Sequence, residues 1–140
     1  MVRLPRRSIP LFAKDIMSSP VLTIGEKEPL RKAATMMCEN KVGSIVVVGS
    51  DGKIRGIVTE RDVTCAARRG TEVCDMPVWE FMTPDPVVVR PTTPVGEVLE
   101  KFSELGIRHL PVVDEENKPV GIISVRDILA LMELLFKAFK

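Results

Sequence analysis

Tyrosine and glutamine are absent from the 140 residues, and asparagine occurs only at Asn40 and Asn117. Scarce amides fit a thermally robust chain and carry no functional meaning. Histidine is nearly absent too, with His109 alone, and Cys38, Cys65 and Cys74 form no CxxC pair. These shortages exclude a zinc knuckle and a disulfide framework. Cys38 continues an apolar helix face and is expected to be a small buried hydrophobe in a reducing compartment. Twenty basic against nineteen acidic residues leave a net charge of +1, without the basic excess that binding to a phosphate backbone needs. Nucleic acid is therefore an unsupported partner.

Long apolar runs are missing as well. Pro5, Arg6, Arg7 and Pro10 break the start of the chain, and the stretch Ile128 to Phe136 contains Glu133 and is too short to span a bilayer. The expectation is a soluble cytoplasmic protein. No nucleophile stands in sight of a base, Cys65 included, and no paired carboxylates suit acid and base work, so a non-enzyme is expected. Arg3, Arg6, Arg7 and Lys14 precede the first acid, Asp15, and read as a solvated basic arm.

What the chain does have is a duplication. Gly56, Ile57, Val58, Thr59, Glu60, Arg61, Asp62 returns 65 positions later as Gly121, Ile122, Ile123, Ser124, Val125, Arg126, Asp127. Seven residues are identical in 24 positions when Lys41 to Thr64 is laid on Gly106 to Leu129 at that offset. Average usage predicts about one or two by accident. Met17 meets Met82 and Pro29 meets Pro94 at the same offset, whereas Pro20 and Pro86 match one step out of register. Each unit of about 60 residues is too small to be comfortable alone, so the two are expected to share a core.

Each unit reads as strand, helix, two strands, helix. Val21 to Ile24 and Val87 to Val89 are expected as opening strands. A helix with proline near its start follows, carrying Leu30, Ala33, Ala34 and Met37 in one copy and Val95, Val98, Leu99 and Phe102 in the other. Gly106 ends the second helix as a left-handed cap, and Asn40 is expected to end the first. Ile45 to Val48 and Leu110 to Val113 are continuous apolar runs fit for strands buried on both faces. Asp51 and Gly52 turn the first of these back antiparallel, and Pro119 restricts the start of the matching strand to an edge or non-bonded position. Boundaries follow: residues 1–12 an arm, 13–69 the first repeat, 70–77 a linker, and 78–140 the second repeat with an extended last helix. That helix keeps its polar residues, Arg126, Glu133, Lys137 and Lys140, on one narrow stripe. So broad an apolar remainder predicts a subunit interface.

Thr59 with Asp62 and Ser124 with Asp127 have the spacing of helix caps, each stabilising by about 1 kcal/mol. Capping leaves Arg61 and Arg126 unexplained, because a cation in the first turn opposes the helix dipole. The arginine wants an anion, either the neighbouring aspartate or a phosphate on the helix start. Gly56 and Gly121 allow close backbone approach just upstream, and an aspartate there can accept from the two hydroxyls of a ribose.

Two such units, each ending in glycine, apolar, any, Ser/Thr, any, any, Asp, resemble a tandem cystathionine β-synthase (CBS) domain pair over about Ala13 to Leu134. The resemblance implies an α/β (α+β) fold of two β-α-β-β-α repeats packed sheet to sheet with pseudo-twofold symmetry. It also implies two clefts for adenosine ligands, AMP above all, with ATP and S-adenosylmethionine as alternatives, and no cofactor beyond that ligand. Asp62 and Asp127 would hold the ribose, Thr59 and Ser124 the ribose or phosphate, and Arg61 and Arg126 the phosphate. Ile24, Ile45 and Leu110 are implied to flank adenine, and Thr93 joins the binding set. Arg108 and His109, which face Gly43 and Ser44 in the first copy, would make the Asp62 cleft the better phosphate site. A homodimer acting on a separate effector protein completes the expectation, with a nucleic-acid-binding or purely structural dimerisation module as the alternative.

Overall fold

The computed structural model describes residues 11–138. The arm's Arg3, Arg6 and Arg7, and Phe139 and Lys140 at the other end, lie outside the described residues.

The first helix of each repeat forms where the apolar spacing places it. Helix α2 (Leu30–Asn40) buries Leu30, Ala33 and Met37, and α4 (Val95–Leu105) buries Val95 and Val98. Pro29 and Pro94 stand at the N-caps, one step before the first helical residue. Gly106 closes α4 at φ 62°, but in α2 the left-handed cap is Lys41, φ 54°, not Asn40. Asn40 is the last helical residue, and its side-chain amide donates to the Met36 carbonyl at 2.8 Å. Cys38 is exposed, contrary to expectation. It follows Met37 by one residue, a rotation of about 100° that takes it off the buried stripe.

Strands β1 (Thr23–Gly25), β2 (Ser44–Val48), β3 (Ile54–Thr59) and β4 (Thr83–Pro84) form one sheet in that order, with only β1 and β2 parallel. Strands β5 (His109–Val113) and β6 (Pro119–Ser124) pair antiparallel in the second. Both hairpins turn through a left-handed residue at matching places, Gly52 at φ 79° and Asn117 at φ 64°. Both also shift register at matching places, between Val47 and Val48 and between Val112 and Val113. Pro119 opens its strand, where a missing N–H is tolerated. The strand expected at Val87 to Val89 shrinks to one parallel bridge from Val89 to Val112. Pro111 and Pro91 deny it further ladder bonds, because they stand where Val46 N–H donates to the Leu22 carbonyl and Glu26 N–H to the Val48 carbonyl in the first repeat.

The repeats exchange their lead-in segments. Helix α1 (Ala13–Ile16) precedes the first repeat yet buries Ala13 among Val98, Leu110 and Ile123 of the second. Val78, ahead of the second repeat, is fully buried among Leu30, Ala33 and Val58 of the first. The edges swap likewise: β4 pairs with β3, and Ser18 bridges Ile122 of β6. At each crossing a methionine lies on a glycine. A Cβ on Gly56 would meet the Met82 sulfur and come within 2.8 Å of the Thr83 carbonyl oxygen; one on Gly121 would meet the Met17 side chain. The close approach allowed by these glycines is therefore to the other lead-in rather than to a ligand.

The interval 70–77, read as a linker, contains a short 3-10 helix, Thr71–Asp75, that buries Val73 in the first core. Val46 and Ile54 from one sheet meet Val113 from the other, with Val48 and Ile122 at the margin, so the two sheets pack face to face. Helices α3 (Glu60–Ala67) and α5 (Val125–Ala138) begin where β3 and β6 end.

Candidate functional site

No loop separates β3 from α3 or β6 from α5, so the last strand residue serves as the helix N-cap. Thr59 N–H donates to Asp62 Oδ2 at 2.8 Å, and Asp62 N–H returns to Thr59 Oγ1 at 3.4 Å. Ser124 and Asp127 repeat the pattern at 2.7 and 3.3 Å. Each hydroxyl also donates to the same carboxylate oxygen at 3.1 Å. The capping box is thus real in both copies, and it uses one carboxylate oxygen of two. Asp62 Oδ1 makes no hydrogen bond among the described residues, and Asp127 Oδ1 accepts only a long one from Ser18 Oγ, 3.4 Å. Arg61 and Arg126 are exposed and form no ion pair among the described residues, so pairing with the adjacent aspartate is not their use.

Each of these helix starts opens into a cleft between the repeats. The Asp127 cleft, about 610 Å³, is walled by Val21, Leu22, Val42 and Ile122 and carries Ser124, Arg126 and Lys41. The Asp62 cleft, about 620 Å³, is walled by Val87, Ile107 and Ile57 and carries Thr59, Arg61 and Asp85. Either volume lies within the range of small-molecule sites. The walls obey the duplication, since Val42 and Ile107, like Ile57 and Ile122, are partners at the same offset.

Gly43, Glu60, Arg108 and His109 belong to both clefts and form the ridge between them. The ridge is tight: a Cβ on Gly43 would lie 3.3 Å from His109 Cε1 and 3.6 Å from Glu60 Oε2. The helix starts are pinned to it, with Glu60 N–H donating to the Gly43 carbonyl and Val125 N–H to the Arg108 carbonyl, both at 3.1 Å. Burial holds the His109 imidazole below its ordinary pKa, and Arg108 adds to the effect against the pull of Glu60 and Asp127. The surroundings of His109 therefore favour its neutral form.

The structure gathers Thr59, Arg61, Asp62, Arg108 and His109 in one cleft and Ser124, Arg126, Asp127, Arg108 and His109 in the other. Four expected residues fall outside both. Ile24, Ile45 and Leu110 are packed inside the two cores: Ile45 and Leu110 lie in strands covered on both faces, and Ile24 is the inward residue of β1 next to the exposed Thr23. Thr93 shapes the turn before α4, its hydroxyl accepting from Arg90 N–H at 3.0 Å. The apolar residues that do line the clefts are not among those expected, although Val42/Ile107 and Ile57/Ile122 are pairs at the repeat offset, the first near the start of the matched stretch and the second within the motif. Arg108 and His109 line both clefts rather than the Asp62 cleft alone.

Among the described residues, no helix is long and apolar enough to cross a membrane. A 17.7 kDa protein of Acidianus ambivalens is 35% identical over 113 residues, which cover 81% of this chain and 68% of that one. The chain spans only 24% of a longer relative, the homoserine O-acetyltransferase of Methanohalobium evestigatum, at 30% identity over 87% of its own length. Among solved structures, the CBS domain pair of protein MJ0100 in complex with 5′-methylthioadenosine and S-adenosylmethionine superposes with a TM-score of 0.80. It is 28% identical, covering 94% of this chain and 99% of that one. A CBS domain protein from Pyrobaculum aerophilum complexed with AMP gives a TM-score of 0.78 at 29% identity, over 90% of this chain and 99% of that one. The CBS domain model matches residues 13–68 and again 78–134, the two halves of the duplication, and the chain belongs to the CBS domain family.

Proposed function

We propose that this chain is a non-catalytic regulatory module that binds adenosine nucleotides, AMP foremost, in the clefts between its repeats. As a homodimer in the cytoplasm, it relays their level to a separate effector protein. The observation that carries the reading is the divided use of each aspartate. One oxygen closes the capping box and the other takes no part in it, at a helix N-terminus whose first turn also carries an arginine without an ion pair among the described residues. A ribose needs such an acceptor for its paired hydroxyls, and its phosphate needs such a cation and such a dipole. The adenosine ligands held by the two similar structures agree with this chemistry.

Ligand binding biases the module only if it prefers one arrangement of the repeats. The ridge of Gly43, Glu60, Arg108 and His109 supplies a place where a phosphate in one cleft changes the wall of the other. The test is calorimetric titration with AMP, ADP, ATP and S-adenosylmethionine, repeated on Asp62→Asn and Asp127→Asn. Asparagine can still cap the helix but lacks the charged acceptor. We expect at least one ligand to bind with Kd below about 1 mM and to lose about tenfold or more in the variant of its own cleft. No binding by any of the four would defeat the reading.

A further inference from the structure

We propose that the two clefts sort adenosine ligands by the charge at the 5′ position. The Asp127 cleft takes a 5′-phosphate, and the Asp62 cleft takes an adenosine whose 5′ substituent is uncharged or cationic. This rests on the reading that both clefts bind adenosine ligands, and adds which cleft takes which. Size does not distinguish them, at about 610 and 620 Å³. The shared ridge does not either, since Arg108 and Glu60, one charge of each sign, line both clefts.

What differs is private to each cleft. Lys41 and Arg126 stand against Asp127 in one, whereas Arg61 stands against Asp62 and Asp85 in the other. With the ridge cancelled, one cleft has an excess positive charge and the other an excess negative charge. A phosphate monoester carries about −1.5 to −2 near neutral pH, so it is drawn to the first and repelled from the second. The duplication shows where the asymmetry comes from. Arg61 matches Arg126 and Asp62 matches Asp127, but Lys41 matches Gly106, and Asp85 matches Ser19 across the one-step slip.

Both odd residues adopt left-handed backbone, φ 54° at Lys41 and 43° at Asp85. Glycine holds the Lys41 conformation at the matching position, φ 62° at Gly106. Lysine is a poor choice for a helix cap of this kind, and its long cation is what glycine lacks. Neither Lys41 nor Asp85 has an ion-pair partner among the described residues.

The experiment titrates the full chain with AMP and with 5′-methylthioadenosine at low salt. We expect Asp127→Asn to abolish the high-affinity AMP isotherm and Asp62→Asn to abolish that of methylthioadenosine. Lys41→Gly should weaken AMP about threefold, an effect that shrinks at high salt, with no fall in Tm because glycine accepts the backbone. Methylthioadenosine affinity should not change in Lys41→Gly. Loss of AMP through Asp62→Asn instead, or AMP binding indifferent to Lys41→Gly, overturns the sorting while leaving nucleotide binding intact. Failure of both ligands to bind the unmodified chain sinks the underlying reading as well.

Discussion

His109 is half-buried on the ridge between the clefts, and its depressed pKa makes it a source of pH dependence. The unfolded imidazole takes up a proton near its ordinary value of 6.5, the folded one only at lower pH. Between those two values the unfolded chain binds more protons, so stability falls as pH drops through the window and levels off below the folded pKa. Urea midpoints measured from about pH 7.5 to about pH 5 should show this slope, and His109→Asn should flatten it. Gly56 and Gly121 give a second prediction. An added methyl at Gly56 faces a backbone carbonyl that cannot move away, whereas at Gly121 it faces only a flexible methionine. Gly56→Ala should therefore cost about 2–3 kcal/mol and Gly121→Ala about 1 kcal/mol, read from chemical unfolding. The capping pairs Thr59 with Asp62 and Ser124 with Asp127 were legible from spacing alone, because a cap is a local device. Ile24, Ile45 and Leu110, which the family resemblance implied beside adenine, are buried in the cores instead, and an apolar strand residue looks the same in sequence whether it faces a core or a ligand.

At the level of elements, α5 stands apart. None of its residues is buried, and Leu134 and Phe136 are 66% and 71% exposed. Ile128 leans on the second core, and the turns beyond it carry apolar side chains into solvent. The homodimer expected from the sequence needs such a surface, and light scattering can test it. Phe136→Glu or Leu134→Glu should shift the protein to monomer at micromolar concentration. The intrinsic stability of each chain should change by less than about 0.5 kcal/mol, because neither side chain is buried within it. The helix was readable from the sequence, as were both hairpins. The opening strand of the second repeat was not, because the ladder donors it lacks are missing at Pro111 and Pro91, outside Val87 to Val89, where no propensity of that run registers them.

The whole molecule is held together by exchange as much as by the face-to-face sheets. Val78 is fully buried in the core of the other repeat, so Val78→Ala should lower stability by about 2 kcal/mol. It should also reduce amide protection in both repeats together, through one cooperative transition. Separate losses, confined to residues 78–134, would mean that the repeats unfold independently. Nothing in the sequence announced the exchange, since periodicity tells which face of a segment is apolar and not which core receives it. The pairing of Met17 with Met82 at the offset of Gly56 and Gly121 was the one trace, and its meaning depends on seeing the chain cross over.

A peptide holding one repeat with its own lead-in contains every part of a core yet cannot use them on itself. Its lead-in is shaped for a neighbour, so two such peptides would complete one another by trading arms. That pairing would be second order, and dilution would undo it. Joined in tandem, the partners sit at a fixed and high effective concentration, and the same trade becomes a first-order folding event indifferent to how much protein is present.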